Sequence, residues 1–267
     1  LIQFEDFQNP ARLVLIAGPC VIESEEHVHK MADAISAIAA EQGFSYVFKA
    51  SYDKANRTSI NGYRGPGLQE GLRILAGVRA RGFSVLTDIH ETSQVGPAAE
   101  VVDVLQIPAF LCRQTDLLLE AGRTKRIINV KKGQFVAPHD IHHAAEKVAS
   151  AGNHRVVLTE RGSSFGYNNL VVDMRGLRVM AHTGWPVVFD ATHSVQLPGG
   201  GGAASGGQPQ FIEPLASAAV AVGVGGIFVE VHDNPEKALS DGPNALRLSL
   251  LPGFLRRMRL LNEARLA

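Results

Sequence analysis

A single-domain (β/α)8 barrel spanning residues 1–267 is the fold class this sequence predicts, and three observations predict it. The chain has 267 residues, 45% of them hydrophobic, which is enough for one large core, and α/β barrels of this length commonly form one domain. Eight short runs rich in β-branched residues are bounded by turn residues. Helical patterns fall between them, the mark of repeated β–α units around a parallel sheet. Eight such units favour a closed barrel over an open, doubly wound sheet.

Taken in order, residues 1–12 form a short N-terminal extension placed to cap one end of the barrel. Leu13–Pro19 is the first strand, followed by the amphipathic helix Glu25–Glu41. Tyr46–Ala50 is the second strand and Gly67–Ala80 its less regular helix. Ser84–Ile89 and Val101–Ile107 are the third and fourth strands. Ile127–Lys131 is the fifth, leading to a helix over Ala137–Ser150, and Val156–Glu160 is the sixth. After the seventh strand, Val187–Ala191, comes Pro198–Gly207, reading PGGGGAASGG, too rich in glycine for strand or helix. It reads either as a surface loop or as a lid that closes over the strand ends. A helix over Phe211–Val222, an eighth strand Gly226–Val231 and an amphipathic helix Ala245–Arg265 complete the pattern.

Charge excludes several functions. With 26 basic and 26 acidic residues there is no global field to draw in nucleic acid or an anionic membrane, so an anion site must be local. The longest uncharged apolar stretch, Pro214–Val229, is short for a membrane span and reads as helix, glycine turn and strand. Nothing reads as a signal peptide, export is not expected, and two cysteines cannot form a disulfide framework, which fits a reducing cytoplasm.

Active sites of (β/α)8 enzymes sit at the C-terminal ends of the strands, so those positions carry the chemistry. In strand order they are Cys20; Lys49, Asp53 and Lys54; Asp88 and His90; Gln106; Lys131 and Lys132; Glu160 and Arg161; Asp190 and His193; Glu230 and His232. A single Lys or Glu there is ordinarily a solvated strand end. Convergence of eight such ends on one face is not explained that way. Lys131 with Arg161, and Lys54 with Arg57, suggest two separate cationic pockets for phosphate or carboxylate. Closure of the ring brings His193, Glu230 and Cys20 together, with Asp241 on the loop after the eighth strand. Such a mixed nitrogen, sulfur and oxygen set suits zinc, ferrous iron or a similar ion better than magnesium or calcium. The alternative is a cysteine simply packed in the core, and that is the reading for Cys112, which has no ligand partner among the strand ends.

Longer motifs add a resemblance. IAGPCVIES (Ile16–Ser24), FKASYDKANRTS (Phe48–Ser59), TDIHE (Thr87–Glu91), QIPAFLCRQTDLL (Gln106–Leu118), NVKKGQF (Asn129–Phe135), LTERGSSFGYNNLVVDMR (Leu158–Arg175) and DATHSVQLPGG (Asp190–Gly200) closely resemble the 3-deoxy-D-manno-octulosonate 8-phosphate synthases. The resemblance runs from Leu13 to about Leu250. It implies an aldol-like condensation of phosphoenolpyruvate with D-arabinose 5-phosphate that releases inorganic phosphate, on the way to the sugar acid of lipopolysaccharide. It implies Lys131 and Arg161 as ligands of the phosphoenolpyruvate phosphate, Lys54 beside its carboxylate and Lys49 nearby. Asn56, Arg57 and Thr58 are similar to the arabinose 5-phosphate site. Asp88, His90, Gln106 and Ala109 resemble pocket residues near the reacting carbons. Arg113 is similar to a residue that reaches a neighbouring subunit's phosphate site, which implies a homotetramer. Cysteine at the GPC position marks the metal-dependent form, implying Cys20, His193, Glu230 and Asp241 as ligands of zinc, iron, manganese or cobalt.

This chain departs from the resembled pattern at Thr58, where Ser is usual, and at Gln208-Pro209-Gln210, where Arg is often found after the glycine-rich loop. The nearest rival is 3-deoxy-D-arabino-heptulosonate 7-phosphate synthase, which takes erythrose 4-phosphate and typically reads K-P-R-T-S in the aldose-phosphate loop. Here the segment Lys54–Ser59 reads KANRTS, one residue longer before the Arg. A non-catalytic sugar-phosphate-binding barrel is the rival from another class, because fold alone does not establish activity.

Overall fold

The computed structural model describes residues 1–56, 59–199 and 206–267. Among them eight parallel strands alternate with eight helices: β1 (Val14–Gly18), α1 (Glu25–Glu41), β2 (Ser45–Lys49), α2 (Leu68–Ala80), β3 (Ser84–Asp88), α3 (Thr92–Val101), β4 (Val104–Ile107), α4 (Thr115–Arg123), β5 (Ile127–Lys131), α5 (His142–Ser150), β6 (Val156–Glu160), α6 (Met174–Ala181), β7 (Val187–Asp190), α7 (Ile212–Val222), β8 (Gly226–His232) and α8 (Leu251–Leu266). Each strand pairs in parallel with its neighbour in sequence, and β8 returns to β1 with Gly18 opposite Glu230. The sheet is therefore a closed (β/α)8 barrel, as the sequence predicts.

Side chains alternate along each strand, and the alternation divides the core. Leu15, Phe48, Val85, Leu105, Leu158 and Phe189 face outward and pack under the helices. Val14, Ile16, Val47, Leu86, Val157 and Phe228 fill the barrel itself. The inward parity, continued to the C-terminal ends, delivers Lys49, Asp88, Gln106, Lys131, Asp190 and Glu230 to the barrel mouth. Lys132 and Glu160 have the opposite parity.

The N-terminal extension closes the other end. A 3-10 turn, Phe4–Gln8, leaves Ile2 and Phe7 buried in the interior cluster, and the Ile2 N–H donates to Ser84 Oγ at 2.7 Å. Gly225 permits this approach: a Cβ there would lie 2.0 Å from the Phe7 carbonyl oxygen.

Helix α1 begins where capping chemistry places it, with Ser24 Oγ accepting the His27 N–H at 3.1 Å and Glu25 and Glu26 in the first turn. The last helix starts later than the pattern suggests. Leu246–Arg247 pair with β8, and α8 begins at Leu251 because Pro252, lacking an N–H, is accepted only in a first turn. The fourth strand likewise begins at Val104, since Val101 ends α3. Pro214–Val229 divides as expected into helix, glycine turn and strand, and among the described residues no helix is long and apolar enough to cross a membrane.

Candidate active site

A cavity of about 400 Å³ opens at the C-terminal end of the barrel, lined by Lys49, Lys54, Asn56, Asp88, His90, Gln106, Ala109, Lys131, Arg161, His193 and Asp241, among others. Gly18 makes the packing of its floor possible, because a Cβ there would lie 2.0 Å from the Lys49 carbonyl oxygen. With β1 and β2 this close, Lys49 Nζ donates to the Cys20 carbonyl at 2.9 Å.

Glu230 is the charge centre of this floor. One of its oxygens, Oε1, lies 3.2 Å from Lys49 Nζ, 3.7 Å from Lys54 Nζ and 3.5 Å from His193 Nε2. The other, Oε2, is buried with no hydrogen-bond partner among the described residues. Burial alone favours the neutral acid, but the charges of His193, Lys49, Lys54 and Lys131 outweigh it and hold this carboxyl well below the usual range.

Cys20 Sγ sits 2.8 Å from Ser240 Oγ and 3.2 Å from Asp241 Oδ2. Cys20, Glu230 and Asp241 offer ligand atoms that all lie within 4.8 Å of one another. Burial, followed by the negative charges of Asp241 and Glu230, pushes the thiol far above its ordinary value, so the thiolate requires a cation. His193 stands just outside this trio and meets it through Glu230. A thiolate, two carboxylates and an imidazole fit a divalent transition ion, which would also satisfy the orphaned Oε2.

Asp190 orients the imidazole. It accepts from the Thr192 N–H, the Thr192 hydroxyl and the His193 N–H at 3.2, 3.1 and 2.9 Å. Its Oδ2 receives His193 Nδ1 at 2.7 Å and Lys131 Nζ at 2.5 Å. Burial opposes ionisation of Asp190, yet His193 and Lys131 hold it well below the carboxylate range. An ionised carboxylate only accepts, so Nδ1 of His193 carries a proton toward Asp190 and Nε2 is the ring nitrogen that faces Glu230.

A second polar chain crosses the opposite wall. Asp88 accepts short hydrogen bonds from Ser51 Oγ and Gln106 Nε2. Gln106 Oε1 accepts from Asn129 Nδ2 at 2.8 Å, and Asn129 Oδ1 from Thr159 Oγ1 at 2.6 Å. Every amide in this relay has a fixed orientation. Burial lowers the His90 pKa against the pull of Asp88, which keeps its imidazole neutral at ordinary pH. Arg161 donates to the His193 carbonyl at 3.3 Å and to Gln196 Oε1 at 2.8 Å, while its Nε is buried and unpartnered among the described residues.

Several expectations change here. Lys54 lines the same cavity as the Lys131–Arg161 pair. Lys132 and Glu160 are not at the mouth: they form a buried 3.4 Å ion pair behind the wall, and Lys132 also donates to the carbonyls of Gly133, Val136 and Gly162. Asp53 pairs with Arg64, and His232 faces Glu23 and Asp233. Cys112 is packed in the core as expected. Arg113 lines a separate cavity of about 260 Å³ with Phe135, Asp140, His143 and Lys147. Arg57 and Thr58 lie outside the described residues, as do residues 200–205 of the glycine-rich segment. Of that segment, Pro198 and Gly199 line the main cavity, and Gly206–Gly207 pairs with Gln196–Leu197. Ser240 and the orienting role of Asp190 escaped the sequence reading. The inward parity of Asp190 and the adjacency of Ser240 to Asp241 were the available signals.

The chain matches the DAHP synthetase I family over residues 8–266. It is 59% identical over 251 residues to 2-dehydro-3-deoxyphosphooctonate aldolase of Geobacter sulfurreducens, an alignment covering 94% of this chain and 92% of that protein. Proteins of the same name from Pelobacter propionicus and Koribacter versatilis are 61% identical over 251 residues and 62% identical over 257, covering 94% and 95% of this chain and 92% of each relative.

Proposed function

The chain belongs to the DAHP synthetase I family, and from that premise we propose that it condenses phosphoenolpyruvate with D-arabinose 5-phosphate and water. The products are 3-deoxy-D-manno-octulosonate 8-phosphate and inorganic phosphate, in lipopolysaccharide precursor synthesis. The observation that carries this reading is the convergence of Lys49, Lys54, Lys131 and Arg161 on one cavity at the catalytic end of the barrel. The names of the relatives favour the octulosonate product over the heptulosonate one, as does the KANRTS loop.

In the reaction, C3 of the enol phosphate attacks the sugar aldehyde and water adds at C2. The C2–O bond to phosphate then breaks. Lys131 and Arg161 hold the phosphoenolpyruvate phosphate, and Lys54 and Lys49 lie toward its carboxylate. Asn56, Arg57 and Thr58 bind the aldose phosphate. Fixing two anions in one cavity raises the effective concentration of the reacting carbons and screens their repulsion. Asp88, His90, Gln106 and Ala109 shape the wall nearest those carbons, the relay through Asn129 holding the Gln106 amide in one orientation. Cys20, His193, Glu230 and Asp241 would hold a divalent zinc, iron, manganese or cobalt ion. Such an ion supplies Lewis acidity and a fixed point for orienting the aldehyde or the water.

A homotetramer is part of the same reading. Arg113 does not line its own chain's main cavity, and Phe110 and Phe135 stand exposed on neighbouring loops at that end. A cytoplasmic setting suits the two free thiols. The test is incubation of purified protein with phosphoenolpyruvate and either arabinose 5-phosphate or erythrose 4-phosphate, with assay of phosphate. Release with the pentose phosphate is the expected result, and its absence with both sugars would reject the enzyme reading.

A further inference from the structure

Glu23 lies three residues beyond Cys20 and does not line the main cavity. Its Oε1 accepts the Leu239 N–H at 2.8 Å and lies 3.3 Å from His232 Nε2. His232 Nδ1 accepts the Asn234 N–H at 2.9 Å and lies 3.2 Å from Asp233 Oδ1, while its buried Nε2 makes no hydrogen bond among the described residues. Glu23, on the loop after β1, thus ties the segment after Leu239 by a hydrogen bond and lies beside the end of β8. The loop after β1 carries Cys20. The end of β8 carries Glu230, two residues before His232. The segment after Leu239 carries Ser240 and Asp241, the partners of the Cys20 sulfur.

Asp241 is held in an uncommon backbone conformation. Its φ is +49°, the left-handed region that a side chain other than glycine rarely adopts and that persists only where neighbouring contacts impose it. The Leu239 N–H bonded to Glu23 is one tether of this segment, two residues upstream. Glu23, His27 and His232 also place ligand atoms within 4.8 Å of one another.

We propose that Glu23 is a positioning residue for the metal site, holding the Ser240–Asp241 segment at the distance from Cys20 and Glu230 that ligation requires. It touches neither substrate nor ion. This inference rests on the reading that Cys20, Glu230 and Asp241 bind a transition ion.

The test is titration of the full-length, metal-free protein with cobalt(II), followed by the sulfur-to-cobalt charge-transfer absorption. Glu23→Ala should weaken cobalt binding by roughly 10–100-fold, the usual cost of losing an outer support of a ligand. Glu23→Gln keeps an oxygen that accepts the Leu239 N–H and should bind cobalt nearly as the unaltered chain does. Glu23→Asp keeps the charge but is one methylene shorter, and should weaken binding as Ala does; this pair decides the matter even where Glu23→Ala does not fold. Phosphoenolpyruvate affinity and thermal midpoint of the metal-free variants should stay unchanged. Unaltered cobalt binding in Glu23→Asp, or a parallel loss of phosphoenolpyruvate binding and thermal midpoint, would overturn the assignment. Cys20→Ala separates the two readings: if it abolishes the absorption while Glu23→Asp does not weaken binding, only the positioning role fails. An unchanged absorption in Cys20→Ala would reject the metal reading beneath it.

Discussion

His193 Nδ1 lies 2.7 Å from Asp190 Oδ2, and this contact decides which imidazole nitrogen faces Glu230. Asp190→Asn preserves the shape but lets an amide N–H meet Nδ1, which moves the ring proton to Nε2 and closes the lone pair to a metal. Metal affinity should fall by roughly 10–100-fold, with kcat falling alongside. Lys131, 2.5 Å from the same oxygen, loses its charge partner, so the KM for phosphoenolpyruvate should move too. Cobalt titration and steady-state kinetics check both effects, and an Asp190→Asn protein unaltered in each would show that the contact is incidental.

Metal binding should depend steeply on pH. Burial, with Asp241 and Glu230 adding to it, raises the Cys20 thiol far above its ordinary value, so the metal-free protein holds it protonated at neutral pH. Ligation as thiolate releases that proton, so affinity rises with pH and falls as pH drops. The slope should be about tenfold per pH unit around neutrality, one proton per ion. Cobalt titrations at several pH values measure it. A flat profile would mean that the sulfur does not ligate as a thiolate.

Phe7 plugs the end of the barrel away from the site, 2% exposed among the interior apolar side chains. Phe7→Ala removes that plug and leaves a cavity, at a cost of about 3–5 kcal/mol. Chemical denaturation should register the loss while the KM values for both substrates change little, since no cavity-lining residue packs on Phe7 in that cluster. A large rise in KM without a stability loss would contradict the placement of the extension.

The barrel was legible in the sequence because eight buried strands leave eight short apolar runs, and buried parallel strands depend little on fine propensity. Helix α3 was not. It contains Gly96 and Pro97, both unfavourable in a helix interior, and forms because Val95 and Ala98 are buried against the core. Strand ends pointed to Lys49, Asp88, Gln106, Lys131 and Arg161, which line the main cavity, and to Glu230 beside Lys49. Position at a strand end does not reveal parity, so Lys132 and Glu160 were drawn into the same set although they face outward. Contacts made across the chain, such as Glu23 with Leu239 and Cys20 with Ser240, leave no local pattern in the residues that make them.

Arg57 lies outside the described residues, and the expectation for it comes from the KANRTS resemblance. A planar guanidinium suits the aldose phosphate, so Arg57→Ala should raise the KM for arabinose 5-phosphate far more than that for phosphoenolpyruvate. Equal rises in the two constants would remove Arg57 from a single pocket.

Shared sites between subunits make the last prediction. Arg113 lines a cavity apart from its own chain's main one, and Lys131 sits inside the latter. If Arg113 serves a neighbour, Arg113→Ala and Lys131→Ala homo-oligomers should each be nearly inactive, for different reasons. In a mixed oligomer some sites combine Lys131 from an Arg113→Ala chain with Arg113 from a Lys131→Ala chain, and those sites are whole. Random mixing of equal amounts should restore about one quarter of the original activity, because each intact residue is supplied with a probability of about one half. Subunit exchange is verified by mass spectrometry of differently tagged chains before activity is measured. Exchange without recovery would place Arg113 in the function of its own chain. Recovery that grows with the extent of exchange would place it across the interface, and would make assembly a condition of catalysis.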